Sequence, residues 1–171
     1  MLSLILFRHA KSDWNAEHEK DHDRPLAQRG IRAAKTMGAF LAAISKVPEL
    51  ALTSSAKRAR DTLDLASRQG NWSCPIMVKP EIYQSDTRTL MELLHSFDEK
   101  PRSLLITGHE PTLSEMTSQL VGDAHIRFPS GAMARIDFNV ESWHQVRFGN
   151  GELRWLIPPK VLTKSGAKFG P

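Results

Sequence analysis

Residues 2–7, LSLILF, form a continuous apolar run stopped at once by Arg8 and His9. A strand with one wet face alternates apolar and polar residues. A run without that alternation fits a strand buried on both faces, as in parallel sheets. Helices must then cover both faces, and the rest of the chain supplies them. From Leu26 the residues Ile31, Ala34, Met37, Phe40, Leu41 and Ile44 recur near the helical period, with Pro48 just beyond. ELALTS (49–54) reads as a strand, 57–69 as a helix with Ala59, Leu63 and Ala66 on one side, and IMVK (76–79) as a strand. A helix follows from Thr87 to Phe97. SLLITGHEP (103–111) reads as a strand and turn, and Thr112 to Val121 as a helix with Pro111 suited to its first turn. AMARIDF (132–138) and ELRWLI (152–157) read as late strands, partly at an edge, and the polar stretch 12–25 as a loop. This alternation predicts a three-layer α/β/α fold around a mostly parallel sheet, with right-handed crossovers.

Composition narrows the function classes. A chain of 171 residues with 40% apolar residues suits one domain with a sizeable core. Cys74 is the sole cysteine, which excludes an internal disulfide framework or a Cys-cluster zinc site. No apolar run approaches the roughly 20 residues of a membrane span. The opening MLSLILF is too short for a secretory segment, so no membrane association is expected and the cytoplasm is the expected compartment. The net charge is +4, and Lys160, Lys164 and Lys168 at the end of the chain carry three of those charges. The remainder is close to neutral and holds one tyrosine. Nucleic acid is therefore not an expected partner. The division expected is a domain over residues 1–158 and a weakly ordered Lys-rich tail over 159–171.

Sheets of this kind bind ligands beyond the carboxyl ends of their strands. Arg8 and His9 follow the first strand, and His109 follows SLLITG. A lone histidine is more often structural than catalytic. Two at equivalent strand ends, one joined to an arginine, are harder to dismiss. The strand ELALTS runs into SSAKRAR, which places Arg58 and Arg60 at the start of a helix. Helix N-termini and guanidinium forks both favour phosphate. Arg58 and Arg60 lie about 200° apart on a helix, so one of them can face the site.

The set RHA at 8–10, RPL at 24–26, SSAKRARDT at 54–62 and GHEP at 108–111 resembles the histidine phosphatase superfamily, the phosphoglycerate mutase-like fold. DHDRPLAQRG and PEIYQSD look most like its small SixA-type phosphohistidine phosphatases, and the resemblance spans about residues 2–138. It implies a metal-independent, cofactor-free phosphatase. His9 matches the histidine that takes the phosphoryl group, and Arg8 and Arg58 match the clamps on its oxygens. His109 matches the second histidine, and Arg24 matches a further arginine near the pocket. Ser130, in FPSGA, matches a segment near the ligand. Relatives that cleave esters use a carboxylic acid to protonate the leaving oxygen, and here Glu81 and Asp21 are the candidates. The implied substrate is phosphohistidine on a signalling protein, since imidazole can leave without a strong proton donor. A small phosphorylated substrate of ester type is the alternative, and a phosphate-binding module without turnover is another. RHA stands where much of the superfamily has RHG, so the turn after His9 must use ordinary backbone angles.

HEKDH at 18–22 satisfies the H-E-x-x-H zinc pattern and makes a zinc hydrolase a remote competing class. That pattern needs a helix with both histidines on one face, and the polar surroundings running into Pro25 argue against one.

Overall fold

The computed structural model describes residues 1–164 and 166. Six strands form one sheet: β1 (Leu2–Arg8), β2 (Leu50–Thr53), β3 (Ile76–Val78), β4 (Ser103–Gly108), β5 (Met133–Phe138) and β6 (Gly151–Ile157). Their order is β3-β2-β4-β1-β5-β6. The first four in that order are mutually parallel, and β5 runs antiparallel to both β1 and β6. The sheet is therefore mixed, with a parallel half that carries the chemistry. Of the two late strands, β6 lies at an edge, whereas β5 is interior.

Among the described residues five α-helices flank the sheet: α1 (Gln28–Ala43), α2 (Lys57–Gln69), α3 (Thr87–His95), α4 (Thr112–Val121) and α5 (Pro159–Lys164). The apolar run of β1 explains the layering. Leu4 and Leu6 face a core shared with Leu90, Leu94, Leu113, Met116 and Leu120 of α3 and α4. Ile5 and Phe7 face the other core, shared with Met37, Leu41, Leu63 and Ala66 of α1 and α2. Leu2, Leu4, Ile5, Leu6 and Phe7 are each buried on one side or the other, and only Ser3 within the run is partly exposed.

The strands differ from the sequence reading by a residue at some ends, and three helical boundaries differ by more. Helix α1 begins at Gln28 rather than Leu26, because Leu26 is held extended in a bridge to Ser12. Helix α3 ends at His95, and Ser96 turns back to donate its hydroxyl to the Leu93 carbonyl. At the C-terminus, α5 stands where a weakly ordered tail was expected, and its Leu162 packs into the α1–α2 core. Lys168 lies outside the described residues. Among the described residues, no helix is long and apolar enough to cross a membrane.

Candidate active site

The parallel register brings the ends of β1, β2 and β4 level. Arg8 pairs with Gly108, and Thr53 with Thr107. One residue further on, the His9 amide donates to the Gly108 carbonyl at 3.1 Å and the Ser54 amide to the Thr107 carbonyl at 3.0 Å. His9, Ser54 and His109 thus leave the sheet along the same edge. The rings of His9 and His109 lie 5.1 Å apart. The turn after His9 is tied to α2. The Ala10 amide donates to Thr62 Oγ1 at 3.0 Å, and that hydroxyl donates to the Arg58 carbonyl at 2.6 Å. Ala10 is not among the residues with positive φ, as the RHA reading requires. On the other side the chain passes close to α1: the Ala27 amide donates to the Lys11 carbonyl at 2.9 Å, and a Cβ on Gly30 would sit 2.1 Å from the same oxygen. Glycine at 30 lets α1 start against this turn.

His9 Nδ1 lies 2.8 Å from the Ala10 carbonyl oxygen. A carbonyl can only accept, so Nδ1 carries the proton and the Nε2 lone pair is free. Burial pushes the imidazole down from the usual histidine range to about 3, against the Ala10 hydrogen bond and with help from His109, Arg58 and Arg8. His9 is neutral at pH 7, so its Nε2 lone pair is available as a nucleophile. Burial and the Arg58 charge likewise push His109 down to about 4. Its Nε2 lies 2.8 Å from Ser54 Oγ, which also accepts the Ala56 amide at 3.2 Å.

The arginines converge on the same place. Arg8 donates from Nη1 to the Phe128 carbonyl at 2.7 Å. Arg58 donates to the Asp21 carbonyl at 2.7 Å and to its carboxylate at 3.1 Å, and Arg24 meets the other carboxylate oxygen at 2.9 Å. Arg24 and Arg58 are 5% and 6% exposed. Partial burial pushes the Asp21 carboxyl up, but the Arg58 and Arg24 charges and hydrogen bonds from Arg58 and Tyr83 outweigh it and hold it below the usual carboxylate range. Among the described residues, six buried side-chain polar atoms have no hydrogen-bond partner, and five of them belong to Arg8, Arg24, Arg58 and His109. A buried donor left unpaired costs about 1–3 kcal/mol. The side chains that carry five of them surround one hollow, and their positive charge and unspent donors suit it to an anion.

That hollow has a volume of about 210 Å³, and Arg8, His9, Arg24, Arg58, His109 and Ser130 all line it. Arg60 is exposed on the opposite side of α2, as the helical spacing required. Glu81 does not line the hollow and pairs with Lys79 at 3.9 Å. Asp21 touches the arginines from outside it. Four further residues belong to the wall, Ser12 among them. Lys11 adds a cation, Glu110 adds a carboxylate whose Oε1 accepts the Ser114 amide at 3.0 Å, and Trp14 adds an indole. Glu110 could have been found from its place beside His109. Trp14 and the Ser54 contact carried no usable signal in sequence. The HEKDH stretch forms no helix over 18–22, only a 3-10 turn at Asp21–Asp23, so its histidines lack the common face that the zinc pattern needs. His22 instead contacts Ser55 Oγ at 3.0 Å and packs edge-on against Tyr83. A second cavity of about 610 Å³, between α3, the end of α4 and the β5–β6 connection, contains none of the residues above.

Comparison with known proteins agrees with this geometry. The model of the histidine phosphatase superfamily (branch 1) matches residues 4–93. An uncharacterized protein of Mycobacterium leprae is 29% identical over 158 residues, covering 85% of this chain and 95% of its own. A SixA-type protein of Agrobacterium tumefaciens superposes with a TM-score of 0.78 at 25% identity, over 92% of this chain and 98% of that one. The protein histidine phosphatase SixA complexed with tungstate superposes with a TM-score of 0.81 at 23% identity, over 94% and 99%. The chain belongs to the histidine phosphatase superfamily, and it is a phosphatase with a SixA-like, phosphoglycerate mutase-like fold.

Proposed function

We propose that the protein removes phosphate from histidine on a signalling protein, through a phosphohistidine intermediate on its own His9. The reading is carried by one observation: a neutral imidazole with a free Nε2 stands among five buried, unpartnered polar atoms of three arginines and a second histidine. His9 Nε2 attacks phosphorus, and the bond from phosphorus to the substrate nitrogen breaks with its electron pair on that nitrogen. Arg8, Arg58 and His109 hold the phosphoryl oxygens, where fixed donors stabilise charge without reorganising. Arg24 reinforces that field, and Ser130 borders the bound group. Water then attacks the His9–phosphorus bond, releasing phosphate, a proton and neutral His9.

The leaving group is where the substrate class is decided. Glu81 stands outside the hollow and Asp21 is held ionised between two arginines, which leaves Glu110, tied by Oε1 to the Ser114 amide, as the carboxylate at the wall. A phosphorylated imidazole can already carry a proton on its distal nitrogen and depart neutral, whereas an alkoxide needs a donor. Lys11 at the wall suits an acidic partner surface, such as the phosphotransfer domain of a histidine-kinase relay. The cytoplasm, where such relays operate, is the proposed compartment. The catalytic unit is proposed as residues 1–158, with 159–171 taking no part in the chemistry.

The test compares hydrolysis of phosphoramidate and an alkyl phosphate at equal concentration, with His9→Ala as control. Phosphoramidate is expected to be the better substrate, and acid-quenched enzyme should carry phosphate that His9→Ala lacks. Faster turnover of the ester removes the phosphohistidine reading. Absence of turnover on both, with phosphate still bound, leaves a binding module.

A further inference from the structure

Trp14 is the largest side chain at the wall of the hollow, and it is 65% exposed. A single exposed apolar residue is ordinary. This one is unusual in being fixed. The Arg24 guanidinium lies over its ring, 3.4 Å from the centroid. Arg24 is 5% exposed and anchored on the Asp21 carboxylate at 2.9 Å, so it cannot swing away with the indole. The chain on either side is held as well. The Asp13 amide donates to the Pro25 carbonyl at 2.8 Å, Ser12 bridges Leu26, and the Asn15 amide donates to the Asp13 carboxylate at 2.9 Å. One indole face is occupied by a cation, and the ring remains mostly open to solvent at the mouth of the phosphate seat.

We propose that Trp14 is a specificity-determining residue that stacks the leaving group, and that the leaving group is a planar unsaturated ring. This rests on the phosphatase reading above and deepens it. A flat π-face rewards another flat face and gives little to an alkyl chain or a polyol. Arg24 beneath the indole makes its open face a poor seat for a second cation. The platform therefore favours departure, because a ring protonated on its distal nitrogen is a cation while bound to phosphorus and becomes neutral when the bond's electron pair goes to its nitrogen. The pre-ordered stack adds little entropic cost when the substrate arrives.

The experiment measures kcat/KM of wild type and Trp14→Ala on N-phosphoimidazole and on phosphoramidate, which carry the same phosphorus–nitrogen bond with and without a ring. The ratio of the two is expected to fall about tenfold in Trp14→Ala, and to stay within about threefold in Trp14→Phe. Both substrates meet the same preparation, so the ratio is independent of how much of the variant is folded. A ratio unchanged within about twofold in Trp14→Ala overturns the proposal. A phosphohistidine-bearing protein is the third substrate and should lose in proportion with the free ring. Loss on the protein alone assigns Trp14 to the partner's surface and also overturns it. Wild type that prefers esters would remove the phosphohistidine reading only. Phenyl phosphate against ethyl phosphate would then still report on Trp14, and an unchanged ratio there would overturn the stacking by itself.

Discussion

The role proposed for His9 needs it buried enough to stay neutral and open enough to meet phosphorus. Folding meets both demands by placing it at a strand end, with Nδ1 closed by the Ala10 carbonyl and Nε2 left free. The same burial makes stability depend on pH. His9 and His109 are pushed down to about 3 and about 4, while in the unfolded chain both return to the ordinary value near 6.5. Between those values the unfolded chain binds more protons than the folded one, so stability falls as pH drops from about 6.5 toward 4. Proton NMR should show His9 and His109 unprotonated at pH 5.5, and thermal unfolding should become easier over that range. A midpoint near 6.5 for His9 would contradict its desolvation. At this scale the sequence was informative where chemistry is local to a motif. Arg8, His9, Arg58 and His109 could be named because each sits at a recognisable strand end or helix start. Trp14 could not, since nothing in WNAEHEKDHDRP announces a stack on a residue ten positions later. The helical period put Arg58 and Arg60 on opposite sides of α2, and the resemblance to the family motif chose Arg58.

Elements with one strong signal were legible nearly to the residue. Helix α2 and helix α4 have the bounds expected from their periodicity. The errors came where a neighbour decides. Leu26 is apolar and in phase with α1, yet the bridge to Ser12 keeps it extended. The two late strands read as partly at an edge, but β6 covers the outer side of β5 and only β6 is the edge. The contact between α1 and α2 is another such case. A Cβ at Gly38 would sit 2.0 Å from the Ala66 carbonyl oxygen, so these helices approach only because residue 38 has no side chain. Gly38→Ala gains helix propensity of about 1 kcal/mol but must separate two backbones, and overpacking of this kind costs typically 1–3 kcal/mol or more. The expected result is a net loss of about 2 kcal/mol in denaturant unfolding. A variant as stable as wild type would show that α1 and α2 can part freely.

Across the whole molecule, the site is one rim of a sheet packed between two large cores, with a smaller cluster of Ala10, Leu26 and Ala34 beneath it. The short helix α5 belongs to the core formed with α1 and α2, where Leu162 is 8% exposed. Leu162→Ala should therefore cost about 2 kcal/mol of stability, the low end for a buried leucine, because a terminal helix can resettle. Turnover of a small substrate should remain within about twofold. Unchanged melting would mean that α5 rests on the body without supporting it. The sequence by itself determined the layering, because an apolar run and helical periods are properties of neighbouring residues. It also determined which residues could carry phosphoryl chemistry. Only the tertiary structure decided which of them meet. Arg8 reaches a carbonyl at residue 128, and Arg58 reaches a carboxylate at residue 21. Such distances along the chain close only when the sheet assembles, and the removal of water that lowers both histidines exists only after it has.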